Sequence, residues 1–479
     1  MSERERERER ESPKQALFDS IESERERLKT VARDIWERPE VALRETESSE
    51  RLQSVLREEG FEIETGVGGI ETAFVARYGD EDPVVGTMGE FDALPGMSQR
   101  ATAERDPVDP GGPGHGCGHN LFGVGSLGGA LAVARAIDRG DLSGSVVFFG
   151  TPAEEAGGGK VYMVRDGAFD DVDAIVSWHP GWYNAPSKGS CLANDAFDFT
   201  FVGETSHAAA APESGRSALD AVQLMNTGVE YMREHVSDAV RIHYVVRNGG
   251  TAANVVPGEA SVEYLVRAPE RDEVERVSEW VRDVAEAAAK MTRTEVEATK
   301  TAGMYGVLPN HTIADAIRAN MERAEFPLDD DQRAFAGELR ETLGDVEGAL
   351  GELPESEREA AREAAMFTRP IDAPDEDETG SYSTDSGDVS WNVPLGRFTA
   401  ATWPVGTPAH SWQAVAAGKE VGTAGMEFAA KTIAATLADL IADDELRRRA
   451  RAEFEEQSAS HEYESPLPDG ADPYELVSR

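Results

Sequence analysis

A predicted buried strand leads directly into a pair of carboxylates in the stretch Ser145-Val-Val-Phe-Phe-Gly-Thr-Pro-Ala-Glu154-Glu155. Residues 145–150 are a nearly continuous apolar run, which is typical of a strand buried on both faces of a sheet. Adjacent carboxylates can take different tasks, because one can bind a metal ion while its neighbour accepts a proton from water. An ordinary acidic turn is the alternative in a chain with 91 acidic residues.

Three other strand-like runs also end near polar residues that can bind metal ions. They are 84–88 followed by Glu90 and Asp92, 173–178 followed by His179, and 398–403 followed at a distance by His410. In open α/β sheets the ligand crevice lies outside the carboxyl ends of the strands. The repeated order therefore predicts an α/β fold with a doubly wound mixed sheet, and an active site assembled at one edge from distant segments.

The segment His115-Gly-Cys117-Gly-His119-Asn120 places two imidazoles and a thiol within six residues. Neutral imidazole and thiolate are preferred zinc donors, and the glycines let the backbone bring them close together. The alternative is a glycine-rich loop whose histidines only make hydrogen bonds. The polar residues that follow the predicted strands favour the metal site.

The segment Gly123-Val-Gly125-Ser-Leu-Gly128 fits the pattern of a dinucleotide-binding loop. It follows the His/Cys segment and not a strand, so the context that a dinucleotide requires is missing. We expect these glycines to let a helix pack close to the sheet beneath the metal site.

Taken together, the motifs resemble those of the aminoacylase and carboxypeptidase superfamily of zinc peptidases. They are H-x-C-G-H-N, P-A-E-E-x-G-G-G, the histidine at a strand end, G-x-x-S-H-A-A-x-x-P at 203–212 and G-T-P-x-H at 406–410. The cysteine of the H-x-C-G-H-N motif stands where the superfamily more usually has aspartate. In this respect the chain resembles the amidohydrolase branch, which includes hippurate and auxin-conjugate hydrolases. Segments 383–391 and 406–413 are similar to the C-terminal signature of aminobenzoyl-glutamate hydrolase B-type proteins, and the resemblance covers about residues 20–440.

The resemblance implies a centre of two divalent metal ions, with zinc expected first and manganese or cobalt as alternatives. The implied ligands are Cys117 in the bridging position with His119, Glu155, His179 and His410. Glu154 matches the general base, and Asp92 matches an aspartate that orients a ligand. His115 aligns with a histidine near the metals and receives no ligand role. Asn120 stands where most members of the branch have aspartate, which removes a charge and is expected to affect metal preference.

Three further positions match family residues in a second domain. His207 matches a histidine that reaches the active site of the partner subunit and stabilises the oxyanion. Asn254 and Arg267 match residues that bind the carboxylate of the substrate, a task that suits the planar guanidinium of arginine. The alternatives are a buried histidine at a helix start for His207 and a structural salt bridge for Arg267.

The domain organisation follows from the resemblance and from the order of predicted elements. Residues 1–15 are a charged tail, 16–189 and 305–479 form a discontinuous catalytic domain, and 190–304 form an inserted dimerisation domain. The inserted part has the order β-α-β-β-α-β of a ferredoxin-like α+β sandwich. An acidic helical insertion at 326–375 contains few apolar residues, so we expect it to be a surface excursion.

The composition describes the surroundings in which the protein works. The 479 residues include 47 basic and 91 acidic side chains, which give a net charge of −44, and only eight of the basic residues are lysines. Such self-repulsion opposes folding unless salt screens it, and the Debye length falls to ~3 Å at 1 M ionic strength. We therefore expect a halophilic protein from a salt-rich cytoplasm, and no nucleic-acid partner, because nucleic acids require a basic face.

Cysteine usage and terminal composition also indicate a cytoplasmic protein. Two cysteines cannot form a disulfide framework, and a reducing compartment suits a thiolate ligand. The start of the chain has no apolar core for a signal peptide, and no apolar run long enough to span a membrane is evident. The Glu-Arg repeat at 3–10 is expected to be a solvated helix start without a function of its own.

The sequence thus predicts a metal-dependent amidohydrolase that cleaves an N-acyl or N-aroyl amino acid, such as an aminobenzoyl-glutamate-like compound. It is expected to act as a homodimer or as a heterodimer with a related subunit. Two alternatives remain open: a dipeptidase with the same site, and a non-catalytic partner subunit of a related hydrolase. The presence of Glu154 and of the full ligand set favours an enzyme.

Overall fold

The structure is a computed structural model that describes residues 14–459, 461–468 and 470–477. The Glu-Arg repeat lies outside the described residues, and residues 14 and 15 of the predicted tail belong to the first helix. The chain forms two compact units. Unit 1 comprises Met1–Gly189, Leu308–Glu378 and Val389–Tyr463, and unit 2 comprises Ser190–Val307, Thr379–Asp388 and Glu464–Arg479.

The elements are numbered here in chain order. The strands are β1 (Glu62–Thr65), β2 (Phe74–Tyr78), β3 (Val84–Gly89), β4 (Ser145–Gly150), β5 (Ala174–Gly181), β6 (Ala185–Ser187), β7 (Ser190–Cys191), β8 (Ala193–Val202), β9 (Arg241–Asn248), β10 (Glu259–Ala268), β11 (Glu295–Met304), β12 (Thr379–Gly380) and β13 (Leu395–Ala401). The helices are α1 (14–23), α2 (Arg25–Glu37), α3 (Thr46–Glu58), α4 (His119–Asp138), α5 (Gly159–Arg165), α6 (Ala218–Met232), α7 (Arg271–Thr292), α8 (His311–Met321), α9 (Asp330–Thr342), α10 (Glu347–Leu350), α11 (Glu355–Glu363), α12 (Ser386–Ser390), α13 (Trp412–Ala417), α14 (Gly422–Ala442), α15 (Asp444–Ser458) and α16 (Pro473–Val477).

Unit 1 is built on a seven-stranded mixed sheet with the order β1-β2-β4-β3-β5-β13-β6. Strands β4, β3, β5 and β13 run parallel, whereas β1, β2 and β6 are antiparallel to the strands they pair with. Every residue of β3 and β4 is buried, as the apolar runs predicted. The carboxyl ends of the four parallel strands meet at one edge of the sheet, where the predicted site residues follow them.

Apolar side chains cover both faces of this sheet. Val146 and Phe148 of β4 join the large core that also contains residues of α2, α4 and α14. Phe149 points to the opposite face and contacts Phe169, with 4.4 Å between the ring centroids. The alternation explains why this strand is apolar throughout and confirms the predicted α/β class.

Helix α4 lies against β3, β4, β5 and α14 in the interior of unit 1. It is the one helix in the described residues that is long and apolar enough to cross a membrane, and most of its residues are buried inside the protein. A Cβ atom at Gly123 would lie 2.8 Å from the carbonyl oxygen of Glu90, and one at Gly125 would lie 2.6 Å from the Trp178 indole. These glycines therefore permit the close helix-to-sheet approach that the sequence predicts.

Unit 2 contains a four-stranded antiparallel sheet with the order β11-β8-β10-β9. Helices α6 and α7 cover one face, where alternate residues of β8 and β10 such as Phe199 and Tyr264 are buried with them. The chain order β8-α6-β9-β10-α7-β11 is the predicted ferredoxin-like order.

Two later segments of the chain, Thr379–Asp388 and the part that begins at Glu464, belong to unit 2. The predicted boundaries had assigned both segments to the first domain. Strand β12 pairs with β7, and the hydroxyl of Tyr305 donates a hydrogen bond of 3.1 Å to the carbonyl oxygen of Glu464. A two-residue strand and a single side-chain contact leave no periodic pattern in the sequence, so composition could not locate them.

The acidic insertion at 326–375 is not the surface excursion that was expected. Its helices α9, α10 and α11 bury Leu339 and Leu350, and the following segment buries Phe367, in a cluster that includes Trp182 and Trp403 of unit 1. The acidic residues cover the outer side of these short helices, so the average composition hid a few well-spaced apolar positions.

The packing of Gly125 against Trp178 gives a direct stability test. Gly125→Ala should lower the free energy of unfolding by about 1–3 kcal/mol, because the core must shift to admit the methyl group. Gly337→Ala is the matched control, since no atom lies within 4 Å of a Cβ at this position in α9. There alanine should stabilise by about 0.5–1 kcal/mol. Urea unfolding of both variants measures the difference, and equal effects would contradict the packing.

Candidate metal centre

The segments that follow β3, β4, β5 and β13 meet the amino end of α4 at one edge of the sheet in unit 1. Three overlapping groups of side chains that could bind a metal ion form there, and the ligand atoms within each group lie within 4.8 Å of one another. The first group is Cys117, His119 and His179, the second is Cys117, Glu155 and His410, and a third joins Glu90 and Glu154 to His119. Cys117 belongs to the first two groups, which is the position expected of a ligand shared by two ions.

Backbone geometry brings the first group together. Gly118 has φ +78°, and a Cβ there would lie 2.9 Å from the Pro180 side chain, so only glycine fits the turn between Cys117 and α4. His179 lies at the end of β5 with its Nε2 atom 3.4 Å from the Cys117 sulfur. Its Nδ1 atom lies 2.7 Å from the carbonyl oxygen of Pro180, which keeps the proton on Nδ1 and leaves the Nε2 lone pair facing the thiol.

The second group contains the more exposed ligands. The Nε2 atom of His410 lies 3.5 Å from a carboxylate oxygen of Glu155. The His410 side chain is 53% exposed, whereas that of Glu155 is 8% exposed. The backbone N–H of His410 donates a hydrogen bond of 2.9 Å to the carbonyl of Gly116, which ties this segment to the His/Cys segment.

Asp92 contacts two of the predicted ligands. One carboxylate oxygen lies 2.8 Å from Nδ1 of His119, and the other accepts a hydrogen bond of 2.9 Å from the backbone N–H of Glu155. Burial alone would raise the pKa of Asp92, but the charge and hydrogen bond of His119 outweigh it and hold the pKa below its usual value. A charged Asp92 therefore orients both neighbours at once.

Three more ionisable residues surround the site. The sequence indicated Glu90 as a polar residue that follows a strand-like run, but it assigned no role to Glu45 or Lys160. Glu90 lies 2.6 Å from the ammonium of Lys160 and 3.1 Å from Nε2 of His119, and both partners of the Glu90–Lys160 pair are buried. Glu45 accepts a hydrogen bond from the backbone N–H of Ala153, and burial followed by repulsion from Asp92 raises its pKa to about 8. The signal for Glu90 was its position directly after the buried strand β3, at the edge where the parallel strands end.

The donor set fits divalent cations. Burial lowers the pKa of His179 to about 3, which keeps its ring neutral as a ligand must be, and raises the pKa of the Cys117 thiol to about 12. A thiolate at this position therefore needs a nearby cation. Oε1 of Glu155 is a buried polar atom without a hydrogen-bond partner among the described residues.

His115 and Asn120 have structural contacts and lie outside both metal groups. The Nε2 atom of His115 lies 3.2 Å from the carbonyl oxygen of Ile35, and burial lowers its pKa to about 4. The buried Asn120 amide donates to the carbonyl oxygens of Ala32 and Gly418, at 3.3 and 3.1 Å. The expected influence of Asn120 on metal preference therefore has no contact to support it, since its side chain serves helix packing.

The other predicted site residues belong to unit 2. His207 is exposed, and its Nδ1 atom accepts hydrogen bonds from the backbone N–H groups of Ala209 and Ala210. Asn254 is adjacent, because its carbonyl oxygen accepts from the N–H of Ala208 at 3.0 Å. Arg267 is half-buried on β10, and its Nε atom is buried without a hydrogen-bond partner in the described part of the chain. Unit 2 thus brings His207 and Asn254 together.

The fold is a mixed sheet covered by helices, with an inserted α+β unit. Thiol, imidazole and carboxylate donors meet at the edge where the parallel strands end. This combination defines a metal-dependent hydrolase of the metallopeptidase class. The chain belongs to peptidase family M20/M25/M40, whose family model matches residues 86–340. This membership confirms the predicted superfamily, the fold and the enzyme class, a hydrolase of amide bonds.

Individual relatives agree with the family assignment. The chain is 38% identical over 473 residues to one of the subunits of p-aminobenzoyl-glutamate hydrolase of Escherichia coli, covering 96% of this chain and 98% of that one. It is 30% identical over 320 residues to Xaa-Arg dipeptidase of Mus musculus, covering 64% and 70% of the two chains. A dinuclear metal binding peptidase of the M20 family from Bacillus subtilis has a similar fold, with a TM-score of 0.54, 21% identity and coverage of 86% and 98%.

The contacts of Asn120 predict the effect of restoring the aspartate. Asn120→Asp removes a donor and places a carboxylate against two carbonyl oxygens, which should lower the free energy of unfolding by about 1–3 kcal/mol. The native state should favour the protonated form of the new carboxyl, so the pKa of this carboxyl should be higher in the folded than in the unfolded protein. The loss of unfolding free energy should therefore grow as pH rises. Unfolding at several pH values and metal analysis check this. A change of metal content at unaltered stability would contradict the structural role.

Proposed function

We propose that this protein hydrolyses the amide bond of an N-acyl or N-aroyl amino acid of the aminobenzoyl-glutamate type. The observation that carries the proposal is the pair of ligand groups that share Cys117 at the carboxyl edge of the sheet, with Glu154 beside them. The 38% identity over nearly the whole chain to a p-aminobenzoyl-glutamate hydrolase chain supports the substrate class.

The two groups would hold two divalent ions. Cys117, His119 and His179 would bind one ion, and Cys117, Glu155 and His410 the other. Zinc suits a thiolate and imidazole set best, with manganese or cobalt as alternatives. When bound, the ions polarise the amide carbonyl and lower the pKa of the attacking water.

The protein's own residues move the protons and hold the geometry. A carboxylate oxygen of Glu154 lies within 4.8 Å of ligand atoms of His119 and Glu90, at the edge of the cluster. From there Glu154 accepts the proton of the attacking water and returns it to the amine that leaves when the C–N bond breaks. Asp92 keeps His119 and Glu155 oriented during both steps through its contacts of 2.8 and 2.9 Å.

Unit 2 supplies the groups that recognise the substrate. The guanidinium of Arg267 has a buried Nε atom without a partner among the described residues, and a substrate carboxylate would satisfy it in bidentate geometry. Asn254 would assist this binding. His207, which is exposed, would donate to the oxyanion in the active site of a partner subunit.

The sheet of unit 2 supports assembly into dimers. Strand β9 lies at an edge of that sheet in the described residues, and it exposes Tyr244, Val245 and Val246. Proteins normally protect an apolar edge strand, and pairing with another subunit achieves this. The partner is a second copy of this chain or a related subunit, and the second option is supported by the Escherichia coli relative, whose name describes it as one subunit of a hydrolase.

A dipeptidase is the second candidate, because the chain is 30% identical to an Xaa-Arg dipeptidase over 320 residues. Arg267 would bind the terminal carboxylate of either substrate. A non-catalytic partner subunit is the third, although the retained Glu154 and ligand set favour catalysis. Assays of the purified chain alone, loaded with zinc, against acyl amino acids and dipeptides separate the three. Hydrolysis of aroyl-glutamates in preference to dipeptides is the expected result, and no hydrolysis of any substrate would favour the third candidate.

The working environment belongs to the same proposal. A net charge of −44 calls for strong screening, so the protein would act in a salt-rich cytoplasm. Thermal unfolding at increasing salt concentrations tests this. We expect the melting temperature to keep rising at salt concentrations well above about 1 M.

The general base is tested by a conservative change. Glu154→Gln should retain both ions and lose nearly all turnover, about 10²–10⁴-fold or more, because the amide cannot accept the proton. Glu155→Gln is the matched comparison at the adjacent position, and it should lose one ion. Metal analysis beside kinetics measures both, and an active Glu154→Gln protein would disprove its role.

The role of His207 across the dimer is tested by mixing two inactive chains. His207→Ala mixed with Glu154→Gln should regain roughly a quarter of wild-type activity, since about half of the dimers are mixed and each has one complete site. Differently tagged chains provide the control for subunit exchange. No recovery despite proven exchange would show that His207 serves its own subunit or the fold alone.

A further inference from the structure

The acidic insertion at 326–375 has no task in the proposed reaction, yet it packs against the segment that carries His410. Its buried apolar side chains share one cluster with that segment and with α13, both within unit 1. Leu339, Leu350 and Phe367 of the insertion belong to this cluster together with Trp403, Val405 and Ala414. Buried apolar contact of this kind fixes the relative position of the two segments.

The segment that carries His410 has little internal support. Residues 402–411 contain neither helix nor strand, and His410 itself has φ +59°, a left-handed conformation that is unfavourable for a residue other than glycine. His119 and His179, by contrast, lie in α4 and β5. Cys117 and Glu155 also lie in turns, but of the five predicted ligands only His410 combines an irregular segment with a left-handed backbone. Its position therefore depends strongly on contacts from neighbouring segments.

Contacts of three kinds connect the insertion to this segment and to α13. The backbone N–H of Val405 donates a hydrogen bond of 2.9 Å to the carbonyl oxygen of Ala365. Gly406, with φ +77°, lies so close to the insertion that a Cβ would be 2.7 Å from the Val346 side chain. The side chain of Gln413 donates to the Thr342 hydroxyl at 3.3 Å.

We infer that the insertion is a positioning segment, which holds His410 in place for one of the two ions of the proposed centre. The inference rests on the proposed function, since it concerns the ion bound by Cys117, Glu155 and His410. The ion bound by Cys117, His119 and His179 should be affected much less, because His119 and His179 lie in regular elements that have their own packing, although Cys117 is shared and the His410 segment is tied to Gly116. Loosening the insertion should therefore weaken one metal site more than the other.

The first test compares two equivalent cavities. Leu350→Ala opens a cavity in the shared cluster, and Leu440→Ala opens one in α14 within the main core; the native side chains are 1% and 0% exposed. Zinc is titrated calorimetrically into chelator-stripped full-length protein. The binding step that is lost in Glu155→Gln is the step for the ion bound by Cys117, Glu155 and His410. Leu350→Ala should weaken this step about 10-fold or more, the scale seen when support of a metal ligand is removed. Leu440→Ala should leave both steps unchanged at a similar loss of thermal stability.

A second test does not depend on a core cavity. Gly406→Ala should weaken the same step, because the new methyl group meets Val346 and the left-handed backbone becomes strained. Adding Val346→Ala removes the clash with the new methyl group. The double variant should therefore bind the ion of Cys117, Glu155 and His410 more tightly than Gly406→Ala alone. Val346→Ala alone should have a smaller effect than Gly406→Ala.

The outcomes separate this inference from the proposed function. If the wild-type protein binds two ions and Leu350→Ala behaves as Leu440→Ala does, or if Val346→Ala fails to rescue Gly406→Ala, the positioning role is wrong and the two-ion centre stands. If the wild-type protein binds no second ion, the two-ion centre fails and this inference fails with it. Selective weakening with rescue supports both.

Discussion

The carboxylate of Asp92 is the interaction on which the site depends. It follows β3, contacts His119 at the start of α4, and accepts a hydrogen bond from the backbone of Glu155 after β4. Three segments far apart in the chain are thus held by one buried group. Because a buried carboxylate must be paired, the fold around it is stable only when all three segments are in place.

The same burial creates a charge problem that ions would resolve. Glu90 and Asp92 are each at most 2% exposed, the buried Lys160 pairs with Glu90, and the pKa of Glu45, about 8, keeps that carboxyl largely protonated at neutral pH. Burial alone would lower the pKa of His119, but the Cys117 thiolate and the carboxylates raise it well above its usual value, so without ions His119 holds a proton that balances part of their charge. Ion binding would replace that proton and balance the Cys117 thiolate, so it would contribute to folding stability as well as to catalysis.

The sequence indicated those features of the fold and site that carry local patterns. Apolar runs such as 145–150 predicted central strands, and the residues after them converge because parallel strands end at one edge. The pairing of β12 with β7 and the burial of Leu350 depend on distant partners, so neither leaves a pattern in a short window. The hydrogen-bond partners of the Asn120 side chain could not be predicted for the same reason. Its amide donates to two backbone carbonyl oxygens, which explains why an amide and not a carboxylate occupies this position.

The lysines connect the fold to the charge of the surface. Most of the eight lysines serve partly or fully buried ion pairs, and their side chains are 0–26% exposed: Lys14, Lys29, Lys160, Lys188, Lys300, Lys419 and Lys431. Lys290 alone is highly exposed, at 79%. Seven of the eight lysines thus lie with low exposure beside buried or exposed carboxylates, and arginine is nearly the only cation that offsets the acidic surface. Since solvent-exposed ion pairs contribute little stability, the excess negative charge is left to the screening of the medium, which supports the proposal of a salt-rich environment.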